Sequence, residues 1–152
     1  MPERNFVPDL SLFSSRTRRI LERSIKISHL LLESAEKLHK FNHFCFIWKK
    51  NKLIAIGKNK PISTDRMALY FGKRYNVPKF KNYPFLHAEI DAISKCWGKH
   101  HLDESYSMVV IRMNKDGTFK NSKPCVHCQP IITALGINKI YWSTEKNEIL
   151  TE

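Results

Sequence analysis

The chain has 152 residues, 26 of them Lys or Arg against 14 Asp or Glu, giving a formal charge of +12 at pH 7. With 42% hydrophobic and 11% aromatic residues it carries enough apolar side chain for a core, which excludes global disorder. The longest apolar run, Phe44 to Trp48, is far short of the ~20 residues that cross a bilayer, and no apolar segment follows Met1 to act as a signal peptide. These features predict one domain spanning residues 1–152, cytoplasmic, with no membrane partner. Four cysteines without a secretory signal point to metal binding or burial rather than to disulfides. The positive charge suits nucleotide or nucleic-acid partners, and equally suits a well-hydrated basic enzyme.

Residues 1–15 read as an irregular lead-in. Ser14 or Ser15 is placed to cap a helix over about 16–40, whose apolar positions Ile20, Ile27, Leu31, Ala35 and Leu38 recur at helical spacing. His43 to Trp48 is continuously apolar after its first residue, the pattern of a strand buried on both faces. The polar turn Lys49 to Lys52 leads to a second strand, Leu53 to Ile56, ended by Gly57, so the two predict a hairpin. Residues 58–85 show no clear period, although 66–75 suits a short helix. His87 to Trp97 predicts a helix stopped by Gly98, Ser107 to Met113 a third strand, and Cys125 to Leu135 a helix stopped by Gly136. Ile137 to Ser143 predicts a fourth strand and Glu148 to Thr151 a short fifth. Thr144 to Asn147 is too short a link for a helix, so the fifth strand should return antiparallel to the fourth. The alternation of helix and strand predicts an α/β fold, a three-layer α/β/α sandwich on a mixed five-stranded sheet.

Two segments carry chemistry: His87-Ala88-Glu89 at one helix start, and Pro124-Cys125-Val126-His127-Cys128 at the next. Alone, a Cys-x-x-Cys pair is a redox motif, half of a structural zinc site, or chance. Together they supply one imidazole and two thiolates, and three protein ligands with one open position describe a catalytic zinc site. Helix N-termini favour thiolate over thiol at Cys125 and Cys128, and Pro124, with no N–H, costs little beside such a start. A neutral imidazole, two thiolates and Zn2+ sum to zero charge, so bound water there needs a base, a role Glu89 can fill. Cys45 and Cys96 read as core thiols, and His100 and His101 as surface residues.

His-Ala-Glu followed by Pro-Cys-x-x-Cys resembles the signature of the zinc-dependent cytidine and deoxycytidylate deaminase superfamily, and the resemblance covers about residues 40–143. It implies a cytidine deaminase-like fold and hydrolytic deamination. It implies one Zn2+ per chain on His87, Cys125 and Cys128, with Glu89 shuttling protons while hydroxide attacks C4 of cytosine. Gly57-Lys58-Asn59 is similar to the family's Gly-x-Asn, so Asn59 is expected to hydrogen-bond substrate and the Ala88 N–H to bind the ring carbonyl. Pro124 and Phe85 complete the expected substrate-binding set. The 27 residues between Asn59 and His87 resemble the insertion of deoxycytidylate deaminases, but 60–86 contain no Cys or His, so a second zinc is not expected there.

That insertion is basic and aromatic. Lys58, Lys60, Arg66, Lys73, Arg74, Lys79 and Lys81 face only Asp65, with Tyr70, Phe71, Tyr75, Phe80, Tyr83 and Phe85 interleaved. Such cations are expected to ring the pocket mouth, where they suit phosphates and stacked bases. Asn121-Ser122-Lys123 ahead of Pro124 departs from the hydroxyl-bearing and acidic residues common in relatives. The reading is conversion of cytosine to uracil in a nucleotide of CMP or dCMP type, or in a single-stranded polynucleotide. The alternatives are an adenosine-to-inosine deaminase acting on RNA and a non-catalytic, zinc-stabilised nucleic-acid-binding module. Homo-oligomers are common in the family and are the expectation by analogy.

Overall fold

Ser14 does cap the first helix. The computed structural model describes residues 8–35, 42–60 and 64–152, and in it the Ser14 Oγ accepts the Thr17 N–H at 3.2 Å at the start of α1 (Ser15–Ser34). Ala35 then turns extended, at φ −69° and ψ 126°, so the helix stops short of the expected span, whose residues 36–40 lie outside those described. The buried stripe also differs from the expected one. It runs through Ile20, Leu21, Ser24, Ile25, Ser28 and Leu32, while Ile27 and Leu31 are half-buried. Two serines at the centre of the stripe hid it from a hydrophobicity count. Each hydroxyl donates to the carbonyl four residues back at 2.8 Å, and Ser24 Oγ also accepts the indole N–H of Trp48 at 2.9 Å, so both are buried without penalty.

The hairpin forms as expected from β1 (Asn42–Lys49) and β2 (Lys52–Lys58). β3 (Tyr106–Met113) pairs antiparallel with the other edge of β1. A two-residue strand, β4 (Phe119–Lys120), folds back on the end of β3, too short to show any alternation in sequence. β5 (Lys139–Ser143) is parallel to β3, and β6 (Ile149–Thr151) returns antiparallel to β5, as its short link requires. Among the described residues the sheet is therefore mixed and six-stranded rather than five, in the order β2-β1-β3-β5-β6 with β4 beside β3.

Alternation along the central strands builds two cores. Phe44, Phe46 and Trp48 of β1, with Val109 and Ile111 of β3, meet α1 on one face. Cys45 and Ile47, with Met108 and Val110, meet four helices on the other. These are α2 (Arg66–Arg74), α3 (Pro78–Asn82), α4 (Ala88–Cys96) and α5 (Gln129–Ala134). The three-layer α/β/α order holds. α3 has no sequence signal beyond Pro78 in its first turn. α5 starts four residues later than expected, leaving Cys125 to Cys128 as a turn ahead of it, with Pro130 rather than Pro124 in its first turn. No helix among the described residues is long and apolar enough to cross a membrane.

Candidate active site

Gly57 sets the distance between β2 and α4. A Cβ on it would lie 2.8 Å from the Ala92 Cβ and closer still to the Ala88 carbonyl oxygen and the Ala92 nitrogen, so only glycine lets the strand lie against the helix. The next residue ties the contact: the Lys58 N–H donates to Asp91 Oδ2 of α4 at 2.9 Å. The third braces β1, since the Asn59 N–H donates to the His43 carbonyl at 3.2 Å and Asn59 Oδ1 accepts the His43 N–H at 3.0 Å. The Gly57-Lys58-Asn59 segment therefore fixes where α4 starts relative to the sheet. His87 is the N-cap of that helix and Glu89 lies in its first turn.

The two motifs meet at this helix start. His87 Nδ1 lies 3.7 Å from Cys125 Sγ and 3.5 Å from Cys128 Sγ. Zinc bonded tetrahedrally to one imidazole nitrogen and two thiolates would separate nitrogen from sulfur by about 3.6 Å, from bond lengths of ~2.1 and ~2.3 Å. The observed distances match that geometry. Among the described residues, His87, Cys125 and Cys128 form the group whose donor atoms converge enough to hold a metal ion. The ring of Phe80 packs edge-on against His87, with centroids 5.1 Å apart, and fixes the imidazole plane. Cys125 is drawn down to about 3, chiefly by the hydrogen bond from Cys128 and then by His87, while Cys128, the donor and fully buried, is pushed up. The pair thus offers one thiolate ready-made and a second thiol that loses its proton as metal binds. The same contact with Cys125 raises His87. Cys45 and Cys96 are buried core thiols, both pushed up by burial, Cys96 to about 11.

A cavity of about 350 Å3 opens onto this centre, at the lower end of the ~300–1,000 Å3 usual for small-molecule sites. Glu89, 1% exposed, lines it but is not one of the three converging ligands, so a carboxylate is held beside the metal position without being spent on it. Asn59 lines it too. Its Oδ1 accepts the His43 N–H, which turns the Asn59 side chain along the edge of β1. Ala88 is the first residue of α4, fully buried, where backbone N–H groups have no partner within the helix. Pro124 is buried, with its carbonyl accepting from Gln129 Nε2 at 2.7 Å, and it is not part of the cavity wall. Phe85 is 42% exposed and also lies outside the wall.

The cations are not where the basic run suggested. Of the seven in 58–81, Lys60 lines the cavity, and it is joined by Arg112 from β3 and Lys123 from the loop before Pro124. The interleaved aromatics mostly pack inward: Phe71 and Phe80 are fully buried, and Tyr70 and Phe71 meet Trp97 edge-on. Lys123 Nζ holds Glu152 at 2.8 Å and Asn121 Oδ1 accepts the Lys123 N–H at 3.1 Å, so the departure noted at 121–123 is a built part of the wall. Sequence reasoning missed His43 and Arg112. Both carry a polar side chain into the α4 face of an otherwise apolar strand, and that phase was the signal available. Burial pushes the His43 imidazole below its ordinary value, with Glu89 pulling the other way.

An α/β/α sheet presenting a His/Cys/Cys centre beside a buried carboxylate is the architecture of a zinc-binding hydrolase. The family model of the cytidine and deoxycytidylate deaminase zinc-binding region matches residues 18–144, and the chain belongs to that family. No curated protein sequence matches it. Among solved structures it is similar to the dCMP deaminase of the cyanophage S-TIM5 in its apo form, at 21% identity over 82% of each chain, with a TM-score of 0.47.

Proposed function

We propose that the protein hydrolyses the amino group of a cytosine nucleotide, releasing ammonia and leaving uracil. The observation that carries this reading is one cavity whose wall holds His87 and Cys125 of the converging His/Cys/Cys group, a buried carboxylate outside that group, and the cations Lys60, Arg112 and Lys123. The carboxylate is what a deaminase needs and a purely structural zinc site does not. Lys60, Arg112 and Lys123, the last ion-paired with the exposed Glu152, suit a substrate that carries phosphate.

His87, Cys125 and Cys128 would hold zinc, and the bound ion would supply a Lewis acid that lowers the pKa of water toward neutral. Glu89 takes the proton that the attacking water loses and delivers it to the ring nitrogen N3, then takes the second proton from the new C4 hydroxyl and passes it to the departing amine. Water adds to C4, the C4–N bond breaks, and a carbonyl replaces the amine. Because Glu89 is 1% exposed, bulk solvent does not compete for that proton. Asn59 donates to the sugar or base, and the Ala88 N–H at the start of α4 binds the ring carbonyl. Lys60, Arg112 and Lys123 hold the phosphate.

A single-stranded polynucleotide is the second reading, favoured by Tyr83 and Phe85, which are 60% and 42% exposed just ahead of the zinc helix. The deciding experiment is ammonia release by zinc-loaded protein from cytidine, CMP, dCMP, single-stranded DNA and RNA. Turnover of CMP or dCMP well above cytidine supports the nucleotide reading. Inosine formed in RNA, or no turnover at all by protein of full zinc content, refutes it.

A further inference from the structure

His43, the second residue of β1, has had no role so far except to brace Asn59. Alternation of β1 turns Cys45 and Ile47 toward α4, so His43 points to that same side, at the open end of the strand. Its cross-strand partner on β3 is Arg112. Its side chain is 21% exposed, and its Nε2 stands 4.0 Å from Glu89 Oε1. Both atoms are buried, and neither has a hydrogen-bond partner among the described residues. A buried donor or acceptor left unpaired is destabilising, so two of them facing each other in one cavity need a reason.

Neither backbone is free to drift. His43 is held through both its N–H and its carbonyl by Asn59, and Glu89 sits on the helix that Gly57 and Asp91 lock to β2. What remains adjustable is side-chain rotation. Hydrogen bonds used in catalysis are commonly long in the empty site and tighten when substrate fills it.

We propose that His43 is a positioning residue for the deamination: its Nε2–H donates to Glu89 Oε1 once the cavity is filled, pinning that oxygen so that Oε2 carries the proton. This rests on Glu89 being the proton carrier. The alternative use of the imidazole, direct contact with substrate, would place it in binding rather than in the chemical step.

The test compares wild type with His43→Phe and His43→Gln, each at full zinc content, on the best substrate of the panel. Removing the donor in His43→Phe should lower kcat about 10- to 100-fold, the range for partners that orient a reacting group, while KM moves less than about threefold. His43→Gln, whose amide reaches a similar point, should recover most of the loss. A raised KM with kcat intact overturns the proposal, as does a Gln variant no better than Phe. A second measurement needs no turnover: in zinc-loaded wild type with uridine monophosphate added, the 15N spectrum of the His43 ring should show the Nε2–H tautomer. Its resonance should move in Glu89→Ala. The Nδ1–H tautomer, or no response to that substitution, refutes the contact. If the panel gives no turnover, the nucleotide reading fails and the ring spectrum still decides the role of His43.

Discussion

Gly57→Ala is a one-methyl test of how the strand hairpin places the zinc helix. The added Cβ meets three atoms of α4, of which the farthest is the Ala92 Cβ at 2.8 Å and the nearer two are backbone. Even that longest contact is about 0.7 Å shorter than the ~3.5 Å at which carbon atoms rest. A methyl group has no rotamer to escape through, so β2 and α4 must separate. Overpacking of this kind costs about 1–3 kcal/mol, and in a domain of this size each kcal/mol lowers the melting temperature by about 2–4 °C. The loss should not stop at stability. α4 carries both His87 and Glu89, and a reacting group displaced by ~1 Å can cost ~100-fold in rate. Thermal unfolding of the zinc-loaded variant, zinc content, and kcat on the best cytosine substrate measure the three consequences. A variant whose midpoint lies within about 1 °C of wild type and whose kcat lies within about twofold would refute the claim that Gly57 sets this approach.

Glu89→Gln keeps the shape of the side chain and removes the base, so kcat should fall about 100- to 10,000-fold while bound zinc stays at one per chain, read by ammonia release and metal analysis. Cys128→Ser replaces a fully buried ligand, and zinc content should drop well below one per chain, with the melting temperature no longer responding to added zinc. Arg112→Ala should raise KM for CMP or dCMP about tenfold, leave KM for cytidine unchanged, and make nucleotide binding less sensitive to salt. Ser24→Ala, far from the site, leaves the Trp48 indole N–H buried without its partner and should lower stability by about 1–3 kcal/mol in urea unfolding with activity unchanged.

What could be read from the chain depended on how many residues shared each signal. The apolar run Phe44 to Trp48 and the hairpin turn placed β1 and β2, and the two motifs named the His/Cys/Cys group whose donor atoms converge, because their residue types and order carry chemistry. The stripe of α1 differs from its apolar pattern because Ser24 and Ser28 are polar by type yet buried, satisfied by the carbonyls of their own helix. β4 has only two residues and α3 only five, too few for either a period of 2 or one of 3.6 to show. Pro-Cys resembles a helix start, so the sequence predicts helix from Cys125, whereas Pro130 opens α5 and Cys125 to Cys128 form a turn ahead of it.

The cations show why a charge run is a poor guide to a charged site. Lys58, Arg66, Lys73, Arg74, Lys79 and Lys81 are neighbours in sequence but are divided among β2, α2 and α3, and Lys60 is the one of the seven on the cavity wall. Arg112 and Lys123 reach that wall from strand β3 and from the loop before the Cys-x-x-Cys turn, more than thirty residues away from the run's centre. Arg112 arrives by register: it pairs with His43 across β1 and β3, and period 2 gives both the face that bears α4. A salt titration of nucleotide KM therefore separates the two sources of charge. Replacing Lys73 and Lys81 together should leave it unchanged, whereas Arg112→Ala should flatten it. Equal effects of the two changes would mean that the surplus of positive charge acts as a diffuse field and that the cavity has no anion site of its own.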